Sequence, residues 1–251
     1  MSGTKKTLSI EQINEEVREF LYIITHDLKN PVRGIKQASD FLLEDYKDKL
    51  GDDGIRILDL LQTKSRLLSD MIDGINTYSK INFKQDQIVD IDFAILLDVV
   101  VSNINQKILK NSHGRNLIIT KDFDLTMNLQ GDEIKVSQIL HNLFLNLVNF
   151  SNPDQKEIQC LVQCNEDPTK QYYTCSLICN DIQFDTSRLS KLFNPFQEIN
   201  VHTKTVNTMM TLILVKKIVE SYGGEITVKS DEGKGLSFTF TYPMKVPTEI
   251  I

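Results

Sequence analysis

The chain has 251 residues, of which 41% are hydrophobic and 25% are charged, so it can bury a core and is too apolar to be disordered. Its net charge of -6 argues against nucleic acid or an anionic membrane as a partner, because both require concentrated positive charge. No stretch is long and apolar enough to span a bilayer, and residues 1–9 lack the apolar middle of a signal peptide. We therefore expect a cytoplasmic protein with no membrane or nucleic-acid partner.

Two amphipathic helices are predicted in the first third of the chain. Apolar residues recur at spacings of three and four over residues 10–50 and again over residues 57–78, where Lys64 interrupts the stripe. Pro31 predicts a bend in the first helix, and residues 51–54 predict the turn between the helices. The stripes consist of Ile13, Val17, Phe20, Ile24, Leu28, Ile35 and Leu42, and of Ile57, Leu61, Leu68, Met71, Ile75 and Tyr78.

A lone hairpin of two such helices cannot bury both stripes completely. We therefore expect two copies of residues 1–84 to form a dimeric four-helix bundle, with packing of the hairpin on its own second domain as the alternative.

Residues 88–251 mix strands and helices, and we place the domain boundary at the break in the helical pattern near residues 84–87. The turn-forming run at residues 165–168 predicts a hairpin. The expected fold class is therefore α+β. The predicted strands are Val89–Ile91, Leu117–Asp122, Glu157–Cys164, Tyr172–Asn180, Ile226–Ser230 and Leu236–Tyr242, and the predicted helices are Phe93–Lys110, Ile134–Phe150 and Leu212–Tyr222.

The four cysteines form two pairs of the type C-x-x-x-C. Strand alternation places Cys160 with Cys164, and Cys175 with Cys179, on an apolar face. Zinc sites usually use tighter C-x-x-C turns. We expect buried thiols, with a metal or a disulfide as the alternative.

A histidine lies off the apolar stripe within the string Phe20–Pro31, which ends His-Asp-Leu-Lys-Asn-Pro. An exposed imidazole is a competent nucleophile near neutral pH, and the adjacent Asp27 can accept a hydrogen bond or its proton. The string resembles the H-box of sensor histidine kinases, in particular of phytochrome-like kinases. The resemblance implies that His26 is the phosphoacceptor, and that Asp27 and Asn30 support dephosphorylation of a partner receiver. An ordinary surface histidine is the alternative.

Two further strings resemble the nucleotide site of the same family. Asn142 and Asn146 lie one helical turn apart in a string similar to the N-box, which implies contacts to phosphate and to Mg²⁺, with Asn146 as the metal ligand if Mg-ATP binds. Asn149 stands where the family usually has lysine. Asp181 matches the carboxylate that accepts the adenine amino group, so these residues are candidates for a vestigial nucleotide site.

The glycines of the family's phosphate-facing loops are replaced. Glycine serves there because the backbone must approach the nucleotide closely. We therefore expect ATP binding to be weak or lost, no resident cofactor, and Mg²⁺ to be supplied at the partner receiver. The replacements are Gln183, Asp185, Asn207, Met209 and Thr211.

The resemblance covers residues 16–243 and implies that the helical hairpin precedes an α/β sandwich of the GHKL ATPase type, covering residues 88–251. We hypothesise a histidine phosphotransferase, a pseudokinase that passes phosphoryl groups between His26 and receiver-domain aspartates. The lack of a sensor region before the first helix is expected of a relay component. An active ATP-dependent histidine kinase with a divergent lid, and a non-catalytic regulator that binds a kinase, are the alternatives.

Overall fold

The computed structural model describes residues 10–81, 86–111, 114–167, 169, 171–182, 184–194, 199–201, 204–206, 209–231 and 235–245. The chain divides into two compact units, Met1–Lys84 and Gln85–Ile251, and each is considered by itself. Within the described ranges, no helix combines the length and apolarity needed to cross a membrane.

The first unit is a helical hairpin. Helix α1 (Ile10–Ile81) is interrupted at Gly51, which has a φ of 60 and lies in the left-handed region that favours glycine. The arms of residues 10–50 and 52–81 are joined by a hydrogen bond from Ser65 Oγ to the carbonyl of Val32, at 3.0 Å. The helical conformation continues through Pro31. The predicted hairpin is thus confirmed.

The buried side chains between the two arms do not belong to the apolar stripes. These side chains recur every seven residues, as expected when two helices share one seam. They are Thr25, Val32 and Ser39 on the first arm and Leu58, Ser65 and Ile72 on the second. Many stripe residues instead face outward, among them Val17, Phe20, Ile24, Leu28, Ile35 and Leu42 on the first arm and Ile57, Leu61 and Leu68 on the second. One copy of the hairpin therefore leaves an apolar face uncovered.

The second unit is a two-layer α/β sandwich. Its five-stranded sheet has the order β2-β4-β5-β9-β8 and is antiparallel except for the pair β2 and β4. Strands β1 and β3 form a separate two-stranded ladder, and the helices pack on the large sheet. The elements are β1 (Ile88–Asp92), α2 (Phe93–Asn111), β2 (Asn116–Asp122), β3 (Asn128–Asp132), α3 (Glu133–Phe150), β4 (Glu157–Asp167), β5 (Tyr172–Cys179), a 3₁₀ helix (Thr186–Lys191), β6 (Ile199–Val201), β7 (Lys204–Val206), α4 (Met209–Ser221), β8 (Ile226–Asp231) and β9 (Gly235–Pro243).

Four elements were not predicted, and one turn and one helix start differ from the sequence prediction. Strand β3, the 3₁₀ helix and the paired strands β6 and β7 were not predicted. The turn predicted at residues 165–168 is wrong, because β4 remains paired with β5 as far as Asp167. Helix α4 begins at Met209, three residues before the predicted start.

Two glycines are required by the close packing of the sheet. Gly235 has a φ of +79, and a Cβ there would lie 2.1 Å from the carbonyl oxygen of Cys179. A Cβ on Gly224 would lie 2.2 Å from the carbonyl oxygen of Thr241. The backbone cannot open without breaking the sheet, so both positions accept only glycine.

The cysteines are buried as predicted, but they are not all free. Cys164 and Cys175 lie opposite each other on β4 and β5 and are joined by a disulfide. The expectation of thiols holds for Cys160 and Cys179 and is wrong for the other pair. The cause is the register, which brings the Cα atoms of the disulfide pair to 4.2 Å. Among the described residues no group of three or more His, Cys, Asp or Glu could hold a metal.

Candidate phosphotransfer and nucleotide sites

His26 is presented to solvent by the first arm of the hairpin. Its side chain is 65% exposed, whereas the preceding Thr25 is buried in the seam between the arms. Successive helical residues point about 100° apart, so burial of Thr25 turns the imidazole away from the seam. The structure therefore places the predicted phosphoacceptor where another protein can reach it.

The carboxylate of Asp27 orients the imidazole. Its Oδ1 lies 3.2 Å from Nδ1 of His26. With the Nδ1–H donating to this carboxylate, the lone pair remains on Nε2, which is the nucleophilic nitrogen. A negative charge beside Nδ1 also stabilises the cationic ring that forms when Nε2 gains a substituent.

Asn30 lies on the exposed surface one helical turn after His26. Lys29 and Asp73 form an ion pair of 2.5 Å between the two arms next to this position. The amide of Asn30 forms no hydrogen bond to His26 within the described part of the chain. It is therefore accessible beside the imidazole rather than tied to it.

The two N-box asparagines lie on the buried side of α3. Asp132 caps the N-terminus of this helix, and its side chain accepts hydrogen bonds from the N–H groups of Ile134 and Lys135. Asn142 is 8% exposed and Asn146 is 1% exposed. Both residues therefore lie on the protected side of α3.

The amide of Asn146 is already engaged. Its Nδ2 donates to the carbonyl of Asn142 at 2.7 Å and to Oγ1 of Thr211 at 3.0 Å. Its Oδ1 is buried and has no hydrogen-bond partner among the described residues. Thr211 replaces a glycine of the family pattern, so this contact uses a side chain that the family pattern lacks.

Asp181 is also partnered from within the chain. Nε2 of Gln155 donates to its Oδ2 at 3.2 Å and to the carbonyl of Glu157 at 2.8 Å. The guanidinium of Arg115 holds the same segment through the carbonyl of Gln155, at 3.0 Å. A side-chain amide thus occupies one of the two oxygens of the carboxylate that the resemblance assigns to an adenine amino group. Nothing in the sequence pattern singled out Gln155 or Arg115.

Asp185 serves as a helix cap. Its carboxylate accepts hydrogen bonds from the hydroxyl and the backbone N–H of Ser187, at 2.6 and 3.0 Å, and pairs with Arg188. The hydroxyl of Ser187, followed by its N–H, holds the pKa of Asp185 below the ordinary value. The carboxylate of Asp185, which stands at a glycine position of the family pattern, is therefore ionised and is paired with the guanidinium of Arg188.

The described residues fit a bound Mg-nucleotide only in part. The unpaired Oδ1 of Asn146 suits a metal ligand. However, Nδ2 of Asn146 already bonds to Thr211, and Oδ2 of Asp181 already accepts a hydrogen bond from Gln155. Gln183 and Asn207 lie outside the described residues, as does the side chain of Met209.

Comparisons with known proteins match both units of the chain. The profile of the His Kinase A (phospho-acceptor) domain matches residues 16–83, and that of the Histidine kinase-, DNA gyrase B-, and HSP90-like ATPase matches residues 131–246. The chain is 25% identical to Phytochrome-like protein Cph1 of Synechocystis sp., with 94% of this chain and 30% of that protein covered. It is 29% identical to Hybrid signal transduction histidine kinase B of Dictyostelium discoideum, with 94% and 12% covered. The chain thus spans about a third or less of these relatives.

Solved structures show the same fold. Full-length ShkA, crystallised with AMPPNP, has a TM-score of 0.61 at 17% identity, covering 93% of this chain and 47% of that one. Histidine kinase AdeS of Acinetobacter baumannii has a TM-score of 0.58 at 17% identity, covering 88% and 98%. The helical hairpin followed by a GHKL-type α/β domain is therefore confirmed. The chain carries, in this order, the phosphoacceptor and ATPase-like domains of the histidine-kinase family, to which it belongs.

Proposed function

We propose that this chain is a histidine phosphotransferase of a two-component phosphorelay rather than an ATP-dependent kinase. Nε2 of His26 attacks the phosphorus of an aspartyl phosphate on one receiver domain, so that a P–N bond forms as the P–O bond to the aspartate breaks. Asp27 stabilises the resulting imidazolium through Nδ1–H. The reverse reaction passes the phosphoryl group to the aspartate of a second receiver. The receivers supply Mg²⁺, so neither step uses a nucleotide site on this chain.

The contact between Thr211 and Asn146 is the observation that carries this proposal. A nucleotide that uses the amide nitrogen of Asn146 must displace its 3.0 Å hydrogen bond to Thr211. The nucleotide must also avoid the side chain of Thr211, which stands where the family has glycine. At the other end, Gln155 already donates to one oxygen of Asp181, so an adenine amino group must share this carboxylate with it. Both contacts compete with a nucleotide and reduce its affinity, whereas His26 remains exposed and oriented.

We further propose that the chain acts as a homodimer. The outward-facing apolar residues of both arms, such as Phe20 and Leu61, favour burial against a second hairpin in a four-helix bundle. Sedimentation of the purified chain should give a dimer, and Leu61→Asp should shift it towards monomer. A wild-type monomer at all concentrations would contradict this part of the proposal.

The transferase proposal is tested with phosphorylated receivers. The purified chain is mixed with receiver domains that carry labelled phosphate on aspartate, in the absence of ATP, and acid-labile label on the chain is followed. Wild type and the matched histidine variant His113→Gln should become labelled, and His26→Gln should not. Equal labelling of His26→Gln, or no labelling of wild type by any receiver from the same organism, would reject it.

An active kinase is the second candidate, and the buried, unpaired Oδ1 of Asn146 favours it because such an oxygen suits Mg²⁺. Incubation with labelled ATP and Mg²⁺ separates the two candidates. Efficient label on His26 would replace the transferase proposal with this one.

A non-catalytic regulator that binds a kinase is favoured by the uncovered apolar face alone. Signalling that survives His26→Gln but fails after Leu61→Asp would support this third candidate against the other two.

A further inference from the structure

A polar groove lies between α2 and α3, apart from the residues discussed above. Its volume of about 510 Å³ is within the range of about 300–1,000 Å³ that is usual for small-molecule sites. His141 lies about 140° around α3 from Asn146, at about 100° per residue. The groove therefore opens on another face of the helix than the one that carries Asn146, and neither Asn146 nor the buried Asn142 lines it. It is lined by Asn103, Gln106, Lys107, Ser137, Gln138 and His141.

All six lining side chains can donate hydrogen bonds, and none is used internally. In the part of the chain that the structure describes, these side chains form no hydrogen bond or ion pair with other residues. Lys107 alone carries three N–H donors, and each amide carries two. Hydrogen-bond donors that line one groove without an internal acceptor fit a ligand that is rich in oxygen acceptors.

The charge of the groove points to the same ligand chemistry. None of the lining residues is acidic, although the chain contains 34 Asp and Glu residues. Burial, and then the positive charge of Lys107, lower the pKa of His141, so the ring is neutral at pH 7 and offers one N–H. Lys107 therefore provides a positive charge that no lining carboxylate balances.

We propose that this groove binds a small anion that carries phosphate or carboxylate groups. Lys107 supplies the charge, and His141, Gln106 and Gln138 supply hydrogen bonds to the anionic oxygens. Such a site gives the ATPase-like unit a ligand that is independent of both the nucleotide site and phosphotransfer through His26.

The full chain is titrated separately with inorganic phosphate and with citrate, and binding is followed by calorimetry and by amide shifts in TROSY spectra. At least one anion should bind saturably, with shifts centred on residues 103–107 and 137–141. The anion that binds more tightly identifies the preferred group. Lys107→Gln should weaken binding about tenfold, as expected for a lost charge-assisted hydrogen bond, and Lys107→Arg should retain most of it.

Lys229→Gln is the matched control, because it removes the same charge from an exposed lysine on β8. Its affinity for the anion should equal that of wild type. The proposal is overturned if neither anion binds saturably in the millimolar range. It is also overturned if the variants Lys107→Gln and Lys229→Gln weaken binding equally, since the attraction would then be to net charge and not to the groove.

Discussion

Replacement of Thr211 by glycine restores the residue type of the family's phosphate loop and removes the partner of Asn146. The hydroxyl of Thr211 accepts from Nδ2 of Asn146 at 3.0 Å, and Asn146 is 1% exposed. Without nucleotide the variant therefore leaves a buried N–H without this acceptor, which costs about 1–3 kcal/mol. The poorer helix propensity of glycine at the start of α4 adds a few tenths of a kcal/mol. We expect Thr211→Gly to be less stable than wild type by about 1–3 kcal/mol.

Binding of MgADP should restore the stability that the Thr211→Gly variant loses. A ligand that binds only the folded state stabilises it by about 2.7 kcal/mol at a concentration one hundred times its dissociation constant. Chemical denaturation with and without MgADP measures both effects in one assay. We expect a clear gain for Thr211→Gly and little or none for wild type.

Two conservative variants separate the hydroxyl from the volume of the side chain. Thr211→Val keeps the volume and loses the acceptor, so it should be destabilised without responding to MgADP. Thr211→Ser keeps the acceptor and should resemble wild type. The reasoning would fail if wild type gained as much stability from MgADP as Thr211→Gly.

Three other substitutions test the fold. Ile72→Ala empties a fully buried position between the arms of the hairpin and should cost about 2–5 kcal/mol, read from urea unfolding of the full chain; an unchanged midpoint would contradict the packing. Tyr222→Phe removes a donor at 2.6 Å from the carboxylate of Asp86 and should cost about 1–3 kcal/mol in the same measurement; an unchanged free energy of unfolding would contradict this hydrogen bond. Gly235→Ala forces a Cβ against the carbonyl of Cys179 and should destabilise the sheet by several kcal/mol, so a soluble, wild-type-like variant would refute the register of β9.

The apolar pattern of the hairpin predicts its two helices but not the residues through which they contact each other. The stripes at spacings of three and four correctly indicate two helices, but many of their residues face outward in one chain. The arms instead meet through Thr25, Ser39 and Ser65 together with three apolar residues. Small polar side chains pack helices closely and satisfy their hydroxyls on nearby carbonyls, as Ser65 does with Val32. The pattern of apolar residues cannot predict such a seam, because half of its buried residues are serine or threonine.

The second unit was predictable where its elements are long and periodic. Helix α3 and strand β9 lie within one residue of their predicted bounds. Strand β3 was missed because its sequence, Asn-Leu-Gln-Gly-Asp, is short and mostly polar and is defined by pairing with β1. The partner of Asp181 was missed for a related reason, since Gln155 reaches it across 26 residues of sequence.

The glycines separate what the fold requires from what a nucleotide requires. At Gly224 and Gly235 a side chain would collide with backbone oxygens, so no neighbour can move aside and glycine is present. At position 211 a threonine is accommodated, because its hydroxyl meets the amide of Asn146. The sheet is therefore compatible with a side chain at position 211, although it requires glycine at positions 224 and 235. Since the two sets of positions are physically independent, glycine at position 211 should change nucleotide affinity without altering strand register, which amide exchange in β5 and β9 would reveal.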